Sequence, residues 1–246
     1  MTNRGQVPFA VPALLSFVAG YVDSCTFLAL FGVFVAQITG SFVIAGTQLI
    51  THDDNVLIKV LAIPVFFFAG MVTTVVIAAT DGRRYGALPW TLTLEGILLA
   101  GFVGVGLAGS PFHDPNAMMA LIAALLGLSA MGVQSALVRL LMRGAGSTNV
   151  MTTNTTQLAI DLTEVVLCWR KKQRMKEDAA AAAAFSAACR QLGNLLPIVL
   201  GFLLGTLVGA SADVCVGLWC VLAAMLIIAG LIAWSLYAAR GRTALT

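Results

Sequence analysis

Residues 19–41 read AGYVDSCTFLALFGVFVAQITGS, an apolar stretch interrupted by one acid, Asp23, and by the polar break from Gln37 to Ser41. Asp23 is the fifteenth of 23 residues in the apolar segment 9–31. On a helix that rises about 1.5 Å per residue, it lies roughly 22 Å from the start, near the middle of a membrane. An ionisable side chain at such a depth marks a candidate functional site. The stretch therefore predicts a membrane helix that carries an acid and is followed by a broken segment.

The composition of the whole chain predicts a polytopic membrane protein. Of its 246 residues, 59% are hydrophobic and 10% are charged, whereas about 25% are charged in an average soluble domain. Helices satisfy their backbone hydrogen bonds within lipid, so the predicted fold class is all-α. Eight apolar segments are candidates for membrane helices: 9–31, 33–50, 57–79, 90–109, 117–138, 146–168, 191–211 and 214–237.

The distribution of positive charge predicts six crossings rather than eight. The connections 51–55, 110–116 and 211–213 contain no Lys or Arg. Eight crossings would place the first of these connections inside and Arg83 outside, against the positive-inside rule. The conflict disappears if 33–50 and 146–168 are re-entrant hairpins or arms of helices broken inside the membrane. We thus expect a multi-pass protein of the bacterial inner (plasma) membrane with both termini cytoplasmic. The basic groups that fix this orientation are Arg4, Arg83, Arg84, the Arg170–Lys176 cluster, Arg190, Arg240 and Arg242.

Weak internal similarity predicts two membrane repeats, 1–112 and 113–246. Residues 19–24 compare with 130–135, residues 38–41 with 151–154, and residues 67–70 with 202–205, in unchanged order. With three crossings each, the second half begins on the opposite side of the membrane and is inverted. Inverted repeats with interrupted helices are found in secondary transporters, where the substrate binds near the midplane.

A substrate or ion site is predicted where the two polar breaks meet. Asp23 is its candidate coupling acid, and Gln134 occupies the matching place in the second half. The alternatives are an Asp that fixes a helix break and a Gln that joins two helices. The other candidate site residues are Thr39, Gly40, Ser41, Thr148, Asn149, Thr152 and Asn154. Hydrogen bonding that ties the broken segments to their neighbours is the alternative for these residues.

Other polar or small residues have structural interpretations. We expect Glu95 at the membrane interface, and Asp161 with Glu164 at a solvated helix end. The stripe Gly201, Gly205, Gly209 predicts close helix packing. The five cysteines form no CxxC pair and are expected to be reduced and packed, without a metal.

The same motifs resemble those of the YoaK-like family of bacterial inner-membrane proteins, a family defined as a domain of unknown function, DUF1275. The resemblance runs from about Pro12 to Trp234. Ser41 and Thr153 depart from the pattern, which has Asn and Gly at these places. The resemblance implies a fold and a membrane location but no agreed substrate. Its marks are Gly20-Tyr21-Val22-Asp23, Thr39-Gly40, Met131-Gly132-Val133-Gln134 and Thr148-Asn149-Val150-Met151-Thr152.

The predicted function is secondary transport of a small solute, with proton or cation coupling through Asp23 as the mechanistic hypothesis. A passive channel and a non-transporting membrane partner or sensor are the alternatives. Catalytic and nucleotide-binding motifs do not occur in the sequence, so no enzyme activity and no cofactor are predicted. The expected partners are a small-molecule or ion substrate and membrane lipid. Association into a homo-oligomer is a further alternative. Nucleic acid is not an expected partner, because we interpret the positive charges in the loops as determinants of membrane orientation.

Overall fold

The computed structural model describes residues 8–51, 56–80, 84–175 and 178–243, and within these ranges the regular structure is entirely helical. The all-α fold class is therefore confirmed. A 3-10 turn, Gly217–Cys220, separates the last two helices. The helices are α1 Ala10–Ala29, α2 Ile38–Thr51, α3 Val56–Ala79, α4 Arg84–Gly109, α5 Met118–Leu141, α6 Met151–Arg174, α7 Ala179–Val216 and α8 Val221–Thr243.

Five stretches of the described chain are long and apolar enough to cross a membrane. They are Ala10–Ala29, Leu57–Ala79, Gly86–Gly109, Met118–Leu141 and Ala179–Arg240. The last stretch has 62 residues and contains α7 and most of α8. A straight helix of that length would reach about 90 Å, three times the hydrocarbon thickness of a bilayer. These stretches make the chain a multi-pass membrane protein.

The two segments predicted not to cross, 33–50 and 146–168, are absent from the candidate spans. α2 has 14 residues, too few for a crossing, and α6 is a 24-residue helix with a polar composition. Each segment is a single helix that follows a turn, rather than a hairpin. Of the residues on which the predicted orientation depends, Arg4, Arg83, Lys176 and the loop 52–55 lie outside the described residues.

α1 and α5 end in the same way. The C-cap amide of Leu30 donates to the carbonyl oxygen of Thr26 at 2.8 Å, and that of Met142 donates to Val138 at 3.0 Å. Two residues beyond each C-cap is a glycine with positive φ, Gly32 at +75° and Gly144 at +91°. Glycine enters this left-handed conformation at little cost, so the chain can leave the helix abruptly. We call the following segments turn 1 (residues 30–37) and turn 2 (residues 142–150).

α1 packs along α7 through the predicted glycine stripe. A Cβ on Gly201 would lie 2.6 Å from the carbonyl oxygen of Ala13, and one on Gly209 would lie 2.5 Å from that of Tyr21. Gly205 meets the backbone of Phe17 even more closely. The absence of side chains is therefore what allows the two helices to touch backbone to backbone, and the predicted packing role is confirmed.

Gly209→Ala tests this contact. The added methyl group cannot fit against the Tyr21 backbone, so the free energy of unfolding should fall by about 1–3 kcal/mol. Unfolding in mixed detergent micelles measures this change. Gly193→Ala on the same helix is the control, because a Cβ there meets nothing within 4 Å. The control should be neutral or stabilise the protein by up to about 1 kcal/mol. Equal effects of the two substitutions would contradict the backbone contact.

Candidate functional site

Asp23 holds turn 1 against α1. Its side chain is 3% exposed. One carboxylate oxygen, Oδ1, accepts hydrogen bonds from the backbone amides of Val35 and Ala36, both at 2.8 Å. The other oxygen, Oδ2, accepts from Nε2 of Gln37 at 2.9 Å. These donors immediately precede α2, where the helix dipole also favours a negative charge. The acid of α1 thus caps the start of the next helix.

Gln134 has the corresponding role at turn 2. It is fully buried, and its Nε2 donates to the carbonyl oxygen of Leu15 at 2.9 Å and to Oγ1 of Thr148 at 3.2 Å. Thr148 in turn donates to Oδ1 of Asn149 at 2.6 Å. Asn149 donates back to the carbonyl oxygen of Met131 on α5 at 3.4 Å. A neutral amide therefore secures the second turn, where a carboxylate secures the first.

Each turn also lies against the first helix of the other half. A Cβ placed on Gly127 of α5 would be 3.3 Å from Val35 of turn 1. Ser16 of α1 donates to the carbonyl oxygens of Thr148 in turn 2, at 3.3 Å, and of Ile198 in α7, at 2.8 Å. The two hydrogen-bonded groups meet α1 at positions 15–16 and at position 23, about 12 Å apart along the helix.

The predicted site residues thus form two groups rather than one shared polar cavity. Among the described residues, no hydrogen bond joins Asp23 to Gln134, Thr148 or Asn149. Ser41 and Asn154 are buried at corresponding places of α2 and α6, and Asn154 donates to the carbonyl oxygen of Ser147. Thr39 and Thr152 are exposed, and Gly40 is partly buried. The structure therefore brings Thr148 and Asn149 to Gln134, but turns Thr39 and Thr152 outward.

A polar cavity of about 430 Å³ lies between turn 2, α6 and α7. We call it the turn 2 cavity. Asp161 in its wall is 1% exposed. Its Oδ1 accepts from Nε2 of Gln157 at 2.8 Å, and its Oδ2 has no partner among the described residues. The residues lining the cavity are Arg139, Gly144, Ala145, Gly146, Ser147, Val150, Thr153, Asn154, Gln157, Asp161, Gln191, Asn194 and Leu195.

The prediction that Asp161 lies at a solvated helix end is wrong. α6 packs against α7 along this face, and the packing covers Asp161 while Glu164 stays exposed. A signal for the cavity was present in the sequence. Asn154, Gln157 and Asp161 are spaced by three and four, which places three polar side chains on one helix face.

A smaller cavity of about 80 Å³ lies beside turn 1, between α2, α3 and the start of α5. We call it the turn 1 cavity. Lys59, which no sequence pattern singled out, is 5% exposed in its wall. Its Nζ donates to the carbonyl oxygen of Gly32 at 3.1 Å. The lysine thereby ties α3 to the glycine at which α1 breaks. The other lining residues are Leu30, Phe31, Val33, Gln48, Ile58, Pro115 and Ala120.

Glu95 is buried in the bundle, and its predicted position at the membrane interface is wrong. Its side chain is fully buried, and neither carboxyl oxygen has a hydrogen-bond partner among the described residues. α4 is covered at this level by α8, since the neighbouring Gly96 faces Ile228 and Ile232. Trp90, one turn earlier, is exposed. The sequence position of Glu95 near the start of an apolar segment did not reveal this burial.

Long apolar helices, two of which end in hydrogen-bonded polar turns, define the class as a multi-pass helical membrane protein. A family model described as "Protein of unknown function (DUF1275)" matches residues 11–234. The chain belongs to this family, which confirms the resemblance seen in its motifs. No curated protein and no solved structure matches the chain.

A charge-swap pair tests the contact between Asp23 and Gln37. Asp23→Asn keeps one oxygen for the turn 1 amides but can set an NH₂ group against that of Gln37. We expect the free energy of unfolding to fall by roughly 1–3 kcal/mol, measured in mixed micelles. Adding Gln37→Glu should recover part of this loss, because the new carboxylate at position 37 can accept a hydrogen bond from the NH₂ group of the new Asn at position 23.

The control for the swap is Gln37→Glu alone. This variant places two carboxylates side by side and should destabilise the protein. The double-mutant cycle therefore predicts a favourable coupling between the two positions. Additive effects of the two substitutions would show that the side chains do not interact.

Proposed function

We propose that the protein is a secondary transporter of a small polar solute, built from two inverted halves, 1–112 and 113–246, that open in alternation. Each half would contribute three crossings and one broken segment, α2 or α6. The proposed setting is the bacterial inner membrane with both termini cytoplasmic. The proposal rests on a reciprocal arrangement of contacts and on an inequality between two cavities.

The reciprocal contacts support an inverted repeat. α1 packs against α7, and α5 packs against α3, the corresponding helix of the first half. Gly20 of α1 meets the backbone of Phe202, and Gly132 of α5 meets that of Phe66. Gln134 lies near the end of α5, yet it contacts Leu15 near the start of α1. The two helices therefore run in opposite directions where they meet, as inversion requires.

The difference in volume between the two cavities is the main support for the transport proposal. The turn 1 and turn 2 cavities occupy corresponding places beside the two broken helices, but their volumes are about 80 and 430 Å³. Two halves of similar build thus have one small cavity and one large cavity at corresponding places. An exchange of the two conformations would close the turn 2 cavity and open the turn 1 cavity, which is alternating access. The two cavities share no lining residue, which favours a transporter over a continuous channel.

The charges of the turn 2 cavity support an orientation. Arg139 lines this cavity, and Lys171, Lys172 and Arg174 lie in the last turn of α6. By the positive-inside rule, this end of the bundle is cytoplasmic. In this proposal the observed conformation is the inward-open one, and Lys59 and turn 1 would close the external side.

Asp23 is the proposed coupling residue. In the charged form it accepts all three hydrogen bonds from turn 1. Protonation would replace one acceptor site with a donor and weaken the bond from Gln37. A proton arriving from outside would thereby loosen the turn that closes the external cavity. Coupling would follow because turn 1 opens only when Asp23 is neutral.

Substrate-evoked proton movement tests the function. Proteoliposomes containing a pH-sensitive dye are exposed in turn to amino acids, amines, sugars and organic acids. We expect at least one solute to drive proton uptake in the wild-type protein. Asp23→Asn should reduce this uptake to the level of empty liposomes, yet retain solute exchange, because it imitates the neutral acid. Retained exchange also shows that the variant is folded.

Thr47→Ala is the control for that experiment. Thr47 is exposed on α2, and among the described residues its hydroxyl bonds to the helix's own carbonyls in Val43 and Ile44. Uptake by this variant should equal that of the wild type. Undiminished proton uptake in Asp23→Asn would reject the coupling role. If the wild-type protein showed neither proton uptake nor solute exchange with any of these solute classes, the result would contradict transport.

Single-cysteine labelling tests alternating access. Ser147→Cys in the turn 2 cavity and Val33→Cys in the turn 1 cavity are placed in a protein that carries Cys168→Ser, Cys189→Ser and Cys215→Ser. Ser147 is half-buried, and Val33 is 2% exposed. A membrane-impermeant maleimide should therefore label position 147 rapidly from the cytoplasmic side. Position 33 should react slowly, and only from the external side.

A transported solute should change the two labelling rates in opposite directions. The buried native thiols Cys25 and Cys220 provide the background rate, measured without either added cysteine. Labelling of positions 33 and 147 from the same side of the membrane would contradict the inverted arrangement.

A further inference from the structure

Three side chains that are distant in sequence converge where α1, α7 and the 3-10 turn meet. They are Cys25 of α1, Asp213 near the end of α7, and Cys220 at the end of the 3-10 turn. The two sulphurs and one carboxylate oxygen all lie within 4.8 Å of one another. We propose that these residues form a binding site for one thiophilic d¹⁰ cation, of which Zn²⁺ is the representative. This site is independent of the proposed transport cycle.

The ligand set has the chemistry of such a site. Thiolate and carboxylate groups are both zinc ligands, and two sulphurs favour Zn²⁺, Cd²⁺ or Cu⁺ over hard cations such as Mg²⁺ and Ca²⁺. Each thiol would release its proton to solvent when the metal binds. A solvent molecule would complete a four-coordinate shell, as in zinc sites with three protein ligands.

The distances require only small movements. The sulphurs of Cys25 and Cys220 are 3.2 Å apart, and Sγ of Cys220 is 3.9 Å from Oδ1 of Asp213. With Zn–S bonds of about 2.3 Å, two ligating sulphurs in a tetrahedron lie about 3.8 Å apart, and a sulphur and an oxygen about 3.5 Å apart. These two pairs would therefore shift by about half an ångström. The third pair, Sγ of Cys25 and the Asp213 carboxylate, lies within 4.8 Å and would shift by at most about 1.3 Å, which side-chain rotation can supply.

The surrounding residues hold the two thiols in place and leave a route by which a cation can reach them. Cys25 is fully buried and Cys220 is 5% exposed. Oη of Tyr21 donates to the carbonyl oxygen of Cys220 at 2.9 Å, which fixes the 3-10 turn on α1. Asp213 is partly exposed, so a cation can reach the sulphurs past its carboxylate. The site is thus rigid on the sulphur side and open on the oxygen side.

Metal titration of the reduced, metal-free protein tests this site. Zn²⁺ is added in competition with a chromophoric chelator, and bound metal is counted by elemental analysis. Cd²⁺ serves as a second probe, because its thiolate charge-transfer absorption reports sulphur ligation directly. We expect one metal per chain. Cys25→Ala and Cys220→Ala should each weaken binding by more than the roughly 10- to 100-fold that an outer-shell change produces.

Two further variants make the test specific. Asp213→Asn removes a charged ligand from a partly exposed position and should weaken Zn²⁺ binding while leaving the melting temperature of the metal-free protein unchanged. Cys215→Ala is the matched control, since Cys215 is an exposed thiol two residues from Asp213. Its binding should equal that of the wild type.

Three results would overturn the proposal. The first is the absence of stoichiometric Zn²⁺ or Cd²⁺ binding to the reduced wild-type protein. The second is binding that persists in both Cys25→Ala and Cys220→Ala. The third is a Cys25–Cys220 disulfide, found by mass spectrometry, in a protein that still binds no metal after reduction.

Discussion

A helix that stops inside a bilayer leaves backbone amide and carbonyl groups without partners, and lipid offers none. Each such group costs several kcal/mol unless the protein supplies a hydrogen bond. The two turns of this protein are largely buried between helices, and backbone groups in each form hydrogen bonds with side chains of neighbouring helices. Asp23 accepts from the amides before α2, while Ser16 donates to a carbonyl oxygen of turn 2. The bundle can contain broken segments because these polar side chains are buried beside them.

The side chains that hold the two turns differ in charge, and the cavities beside the turns differ in volume. Turn 1 is held by a carboxylate and adjoins a small cavity with a buried lysine. Turn 2 is held by the amide of Gln134 and adjoins a large cavity that has an acid in its wall. A hydrogen bond to a charged group is stronger than one between neutral groups. The stronger hydrogen bonds thus hold the turn that adjoins the smaller of the two cavities.

Much of the fold could be predicted from the sequence, because lipid imposes length and composition on every crossing. The helix that carries Asp23, the break before Thr39 and the polar α6 are all visible as departures from an apolar pattern. The burial of Glu95 and Asp161 was not predictable in this way, because each depends on which helix covers it. Lys59 was missed for a related reason. A lone lysine at the start of an apolar segment resembles an interfacial residue until its carbonyl partner, Gly32, is known.

The glycine stripe of α7 has a consequence for how the protein is made. Cys25 and its α7 contact Gly209 are 184 positions apart in the chain. At a synthesis rate of about 5 to 20 residues per second, α1 waits about 10 to 40 s in the membrane before its partner emerges from the ribosome. During that interval Asp23 can already be satisfied by its own turn, but the backbone carbonyls of Ala13 and Tyr21 face lipid instead of glycine. α1 is thus inserted well before α7 and docks against it late, so the nascent first half must persist in the bilayer as an unfinished assembly.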